Sequence, residues 1–219
     1  MRGLIFDLDG TLADTAADLL GAANIVLERA GLPQLDRVTD RSVAGRGGKA
    51  MIRTSLARAG RGPEDPMVES LYPPLLEAYE ARLAEETRLF DGVERALDRS
   101  AGEGWRLGVC TNKPERLAHL LLDRLGVHGR FGAILGADTL PVRKPDPEHM
   151  AETARRIGAD PARTIMIGDT RTDLDTARAL GVPCILTSFG FAAEPLADLA
   201  PDATIDHYDE LDDAVAQVA

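Results

Sequence analysis

The chain has 219 residues, enough for one large domain or for a core with a smaller appendage. Aromatic residues make up only 4% of it, so its core must be built from Leu, Ile, Val and Ala. The net charge of −11 excludes a nucleic-acid footprint and an anionic membrane surface; a small anionic substrate stays possible, because local cations and a metal ion can reverse the field inside one cleft.

Residues 4–6, Leu-Ile-Phe, predict a short buried strand, and Asp7 and Asp9 follow it directly, ahead of the turn residues Gly10 and Thr11. Carboxylates at the C-terminal end of a strand in an α/β protein lie where such folds keep their ligand crevices. Two of them there are costly unless a cation or a shared proton relieves them. The pair therefore points to a metal site, to a nucleophile with its acid–base partner, or to both. The plainer alternative is a solvated Asp-Gly turn. Leu8, between the two, reads as core.

Residues 16–84 lack convincing strands and predict helices at 17–30, 49–59 and 68–83. Gly31-Leu32-Pro33 and Gly60-Arg61-Gly62-Pro63 separate them. Within this block, Ala44-Gly45-Arg46-Gly47-Gly48-Lys49 is a glycine-rich loop running into a helix start, where backbone N–H groups favour an anion. Arg46 could pair bidentately with a substrate carboxylate there, with Gly47 and Lys49 beside it. The alternative is that Arg46 and Lys49 are solvated charges and the glycines only make a turn. Asp14 and Thr15 are expected to begin the first helix of the block or to form its hinge.

Strand and helix then alternate. Apolar runs at 107–110, 133–135, 165–167, 184–186 and, more weakly, 203–205 predict strands. Helices are predicted at 93–101, 115–125, 147–157 and 172–180, with Pro114 suited to a first turn and Gly181 to a helix end. This is the pattern of an α/β protein, a doubly wound, Rossmann-like parallel sheet formed by residues 1–15 and 85–219, with the block 16–84 inserted after the first strand. Cys110 and Cys184 fall inside apolar runs and read as small buried hydrophobes, not as a disulfide. His119, His128, His149 and His207 form no spaced ligand motif and read as structural or solvated. The sequence enters its first strand at once and has no apolar run long enough to cross a bilayer, so a soluble, reducing, cytoplasmic setting is expected.

Three further groups lie in the alternating part: Thr111-Asn112-Lys113, Arg143-Lys144-Pro145, and Gly168-Asp169-Thr170-Arg171-Thr172-Asp173. Taken singly, each has an ordinary explanation as a helix cap, a surface turn or an acid complementing a helix dipole. Taken in order with Asp7 and Asp9, they resemble the four motifs of the haloacid-dehalogenase-like superfamily of phosphohydrolases. Nearly the whole chain resembles its phosphoglycolate phosphatase family, through FDLDGTLADT, AGRGGKAMIRTSL at 44–56, CTNKP, GADTLPVRKPDPEHM and IGDTRTDLDTARALGVP. Two departures are Phe189-Gly190-Phe191, where Tyr-Gly-Tyr is common, and Arg143, where Lys is usual.

The resemblance implies that block 16–84 is a small helical cap domain. It implies that Asp7 is the nucleophile that carries an aspartyl-phosphate, and that Asp9 is general acid and then base. Thr111, Asn112 and Lys144 would hold the phosphate. Mg²⁺ would be bound by Asp7, the backbone carbonyl of Asp9 and Asp169, with Asp173 acting directly or through water. Lys113 and Arg143 are assigned to solvent. Asp9 speaks against dehalogenase and phosphonate-cleaving members, and Gly168 before Asp169 disfavours phosphate return as in mutases. The implied activity is hydrolysis of a small phosphorylated carboxylate, 2-phosphoglycolate first. Another small ester such as a sugar phosphate or a nucleotide, or pyrophosphate, comes second. A catalytically silent binding protein is the alternative from a different class.

Overall fold

The computed structural model describes residues 1–219. They form two compact units, Met1–Asp14 with Leu89–Ala219, and Thr15–Arg88. The strands are β1 (Gly3–Phe6), the two-residue β2 (Ala13–Asp14) and β3 (Arg88–Leu89, which straddles the boundary of the units), and, all in the first unit, β4 (Arg106–Cys110), β5 (Ala133–Leu135), β6 (Thr164–Gly168), β7 (Cys184–Thr187) and β8 (Ala203–Ile205). Six of them make one sheet in the order β5-β4-β1-β6-β7-β8, and every neighbouring pair is parallel. β2 and β3 pair with each other where the chain passes from one unit to the other and back. The fold class is thus the α/β sheet expected.

A parallel sheet is covered on both faces, so its inner strands must be apolar throughout. β1 and β6 are buried at every residue. Cys110 and Cys184 are free thiols in one apolar cluster with Ile5, Met150 and Met166, as their setting in apolar runs suggested. The chain leaves β1 to build β4 and β5 on one side, then crosses to build β6, β7 and β8 on the other. The ends of β4 and β6 therefore flank the end of β1, which is the switch point where such sheets open a crevice. Register brings them level: Phe6 pairs with Val109 on one side and Ile167 on the other.

The helices of the first unit are α5 (Val93–Gly102), α6 (Glu115–Arg124), α7 (Pro147–Arg156), α8 (Arg171–Leu180), α9 (Leu196–Leu199) and α10 (Leu211–Val218). α10, which falls outside the predicted elements, buries Leu211, Ala214 and Val215, one narrow face of two turns. α8 opens with a capping box between Thr170 and Asp173 and closes on Gly181 in the left-handed region.

The unit Thr15–Arg88 contains α1 (Ala16–Arg29), α2 (Arg41–Ala44), α3 (Gly48–Arg58) and α4 (Met67–Ala81). The wholly buried Asp18 of α1 accepts hydrogen bonds from the Glu86 and Thr87 N–H groups and from the Thr87 hydroxyl. It thereby ties the start of this unit to its end. Arg58 makes a bidentate pair with the Asp40 carboxylate. No helix of the chain is long and apolar enough to cross a membrane.

Candidate active site

The site grows from the end of β1. The Asp7 N–H donates to the Ile167 carbonyl (2.9 Å), so the ladder runs one residue past the strand and fixes the Asp7 backbone. Leu8 is wholly buried, as expected. The turn then closes through Gly10 N–H to the Ala13 carbonyl at 2.9 Å. Gly10 has φ +84°, and a β-carbon there would collide with the Asp169 carboxylate. That residue must be glycine for two reasons at once. The Thr11 hydroxyl donates to Asp169 Oδ1 at 3.0 Å.

Asp7, Asp169 and Asp173 are buried, and one carboxylate oxygen from each lies within 4.8 Å of the others. Asp169 follows β6, and Asp173 sits in the first turn of α8. Asp169 Oδ2 also accepts from the Phe191 N–H at 2.6 Å. Asp173 Oδ2 accepts from the N–H groups of Asp169 and Thr170 and from the Thr170 hydroxyl. The capping role that Asp173 could have had alone is real, and it coexists with membership of the cluster. Lys144 is the cation of this group, its Nζ 3.0 Å from Asp7 Oδ1 and 2.6 Å from Asp173 Oδ1.

Burial pushes the Asp7 carboxyl up to about 6, with Asp173 and Asp9 adding to the rise and Lys144 opposing it. Asp169 is pushed well above the usual carboxylate range by burial and by the charges of Asp173 and Asp7. Burial alone would lower the Lys144 ammonium, but Asp173 and Asp7 outweigh it and hold it above the ordinary lysine value. Three crowded carboxylates against one ammonium leave a surplus of negative charge. All donors are hard oxygens, so a divalent cation that prefers oxygen fits this set of residues.

Thr111 is buried just beyond β4, its N–H bonded to the Leu135 carbonyl at 3.0 Å and its hydroxyl accepting from the Lys113 N–H at 3.2 Å. The Asn112 side chain donates to the Lys144 carbonyl at 3.0 Å, which ties the turn after β4 to the loop carrying Lys144. The first N–H of α6, from Glu115, is taken by Asp138 at 2.7 Å.

One assignment is corrected. Lys113 is not in solvent; it is buried, with Nζ 2.8 and 2.9 Å from the two Asp9 carboxylate oxygens. The turn after β4 folds it back across the end of β1. Asp9 accordingly has its side chain on Lys113, outside the three-carboxylate cluster. Arg143 is exposed, as assigned. In the helical unit, Lys49 pairs with Glu69 at 2.7 Å and lies 5.1 Å from the Tyr72 ring centre. Gly47, with φ +85°, leads into α3 just after Arg46. His149 is wholly buried and bonds the Gly136 carbonyl. His119 and His128 meet each other at 2.8 Å.

Sequence reasoning missed four contributors. Thr11 reads from the sequence only as a turn residue, and Lys113 only as a solvated charge. Phe191 acts through its backbone. A β-carbon on Gly190 would strike Asp169. The run Phe189-Gly190-Phe191, which stands where the family commonly has Tyr-Gly-Tyr, is the signal in the sequence for both.

The sequence model of the haloacid dehalogenase-like hydrolases matches residues 4–187. The chain is 38% identical over 208 residues to a phosphoglycolate phosphatase of Mesorhizobium japonicum, covering 95% of this chain and 92% of that one. It is 41% identical over 202 residues to a phosphoglycolate phosphatase of Caulobacter vibrioides, covering 92% and 85%. Among solved structures, a predicted phosphoglycolate phosphatase from Haemophilus somnus superimposes with a TM-score of 0.89 at 24% identity, over 98% of both chains. CbbY from Rhodobacter sphaeroides, solved with phosphate, does so with a TM-score of 0.79 at 26% identity, over 96% of both. With its acidic cluster and buried lysines at the switch point of a parallel sheet, the chain belongs to the haloacid dehalogenase-like hydrolases, in their phosphoglycolate phosphatase family, and is a phosphoric monoester hydrolase.

Proposed function

We propose that the chain is a Mg²⁺-dependent phosphatase that hydrolyses 2-phosphoglycolate to glycolate and phosphate through an aspartyl-phosphate on Asp7. The observation that carries the proposal is the Lys144 ammonium held between Asp7 and Asp173, with Asp169 completing a buried oxygen cluster. A phosphate monoester repels nucleophiles through its own negative oxygens, so the site must first neutralise them.

In this reading an Asp7 carboxylate oxygen attacks phosphorus as the bond from phosphorus to the leaving oxygen breaks. Asp9 gives that oxygen a proton. Water then attacks the acyl-phosphate, Asp9 takes the water's proton, and phosphate departs with Asp7 restored. Lys144, Thr111 and Asn112 hold the phosphoryl oxygens throughout. Asp7, the Asp9 carbonyl, Asp169 and Asp173 would hold Mg²⁺, which when bound supplies further neutralisation of the phosphoryl group.

The unit Thr15–Arg88 is the cap in this scheme. Arg46, Gly47 and Lys49 are its candidate substrate contacts, and Arg46 is the cation we favour among them, since Lys49 is engaged by Glu69. A bulkier sugar phosphate is the second reading. It is favoured by the likeness, at 25% identity and a TM-score of 0.78, to a CbbY variant solved with xylulose-1,5-bisphosphate.

The test is hydrolysis of 2-phosphoglycolate, sugar phosphates and p-nitrophenyl phosphate, with Mg²⁺ and with excess chelator. Chelation should abolish turnover. Asp7→Asn should also abolish it while circular dichroism stays that of the parent, and Asp9→Asn should cost ~10²–10⁴-fold. Full activity in chelator would sink the metal requirement, and an active Asp7→Asn would sink the nucleophile. A preference for sugar phosphates would transfer the substrate to the second reading.

A further inference from the structure

We propose that Lys113 is a specificity-determining residue whose ammonium pairs with the carboxylate of the substrate's leaving group, so that selection among phosphate esters begins in the α/β unit beside Asp9. The proposal rests on the reading above, in which Asp9 serves the leaving oxygen and the substrate carries a carboxylate.

The α/β unit buries two ammonium groups, Lys113 and Lys144. Their places differ. Lys144 is locked between Asp7 and Asp173, on the side where phosphorus is attacked. Lys113 is held on Asp9, by contacts of 2.8 and 2.9 Å to its two oxygens. Its backbone is fixed from both sides, by the Thr111 hydroxyl on its N–H and by the Ala137 N–H on its carbonyl. The ammonium thus stands at a set place next to the group that must touch the leaving oxygen.

The chemistry of the substrate then matters. In 2-phosphoglycolate the carboxylate carbon is separated from the leaving oxygen by a single methylene. An anion so close to that oxygen lies within a side-chain torsion of a cation bonded to Asp9. A charge-assisted hydrogen bond from a buried ammonium is among the stronger polar contacts a site can make. A neutral leaving group gains nothing from it. An ammonium that served only to orient Asp9 would help every ester alike, and that difference makes the proposal measurable.

The experiment compares kcat/KM for 2-phosphoglycolate with that for ethyl phosphate, which has the same chain length and no carboxylate. Parent, Lys113→Met, Lys113→Arg and Arg46→Ala are measured with Mg²⁺. Lys113→Met should lower the ratio of the two kcat/KM values by about 10- to 100-fold, chiefly through KM for 2-phosphoglycolate. Lys113→Arg should recover part of it. A ratio unchanged in Lys113→Met, or a discrimination lost only in Arg46→Ala, overturns the proposal while the substrate reading stands. A parent with no preference for 2-phosphoglycolate over ethyl phosphate refutes the substrate reading itself. Should Lys113→Met be inactive on both esters, calorimetric binding of each in an Asp7→Asn background decides. Selective weakening of 2-phosphoglycolate supports the proposal, and equal weakening of both overturns it.

Discussion

His149 shows how much a single side chain near the site is asked to do. It lies in α7, shortly after Lys144, and bonds the Gly136 carbonyl at 3.0 Å, so it closes the base of the loop that carries the lysine. Its other ring nitrogen is buried and makes no hydrogen bond. Burial, with the charge of Lys144 behind it, lowers its pKa from 6.5 to about 4. The sign follows from linkage: the unfolded chain takes up a proton near pH 6.5, which the folded imidazole refuses until about pH 4. The stability this residue contributes is complete above pH 6.5 and is lost as pH falls through the window down to 4. Between pH 7.5 and 5 the loss should be about 2 kcal/mol. Urea denaturation should show that His149→Gln, which keeps an amide donor for Gly136, loses about 2 kcal/mol less than the parent over the same range. Parallel falls in the two proteins would assign the pH dependence elsewhere.

Among the elements, α1 depends on a polar anchor. Asp18 satisfies the Glu86 and Thr87 N–H groups from inside the helical unit. Asp18→Ala strands these donors, and each unsatisfied buried group costs about 1–3 kcal/mol. The expected outcome is a fall in the unfolding midpoint of the helical unit, with Asp18→Asn intermediate because its amide oxygen can still accept. A midpoint like the parent's in Asp18→Ala would show that water replaces the carboxylate.

The elements also explain what the sequence could and could not reveal. β1, β4 and β6 were legible because strands buried on both faces read as unbroken apolar runs. β8, at the sheet edge and only partly buried, gave a weaker pattern. β2, β3, α2 and α9 are too short to show any period. Asp7 and Asp9 stood out because they directly follow an apolar strand run, and Lys144, Asp169 and Asp173 because, in order with that pair, they resemble the motifs of one family. Lys113 did not, because its partner Asp9 lies 104 residues away and only the pairing of β1 with β4 brings the two together. The Phe191 N–H is a backbone group, which leaves no mark on residue type.

At the scale of the whole molecule, charge is the governing fact. A chain of net charge −11 gathers four carboxylates, Asp7, Asp9, Asp169 and Asp173, around two buried ammonium groups. Folding assembles that surplus negative charge, and the unfolded chain disperses it. A divalent cation that binds the assembled cluster therefore binds the native state in preference, and stabilises it by mass action. At a hundredfold excess over Kd the gain is about 2.7 kcal/mol. For a chain of this size that is a rise in Tm of roughly 5–10 °C. General screening of a negatively charged surface also stabilises, but it does not distinguish MgCl2 from NaCl at equal ionic strength. The expected outcome is a Tm rise in MgCl2 well beyond that in matched NaCl, and its near-disappearance in Asp169→Asn. That variant removes a carboxylate from the cluster while leaving its one oxygen for the Phe191 N–H, and the Thr11 hydroxyl can turn to accept from the new amide. Equal rises in both salts, or an undiminished Mg²⁺ effect in Asp169→Asn, would mean that the cluster does not hold the metal and that the buried lysines alone must neutralise the phosphate.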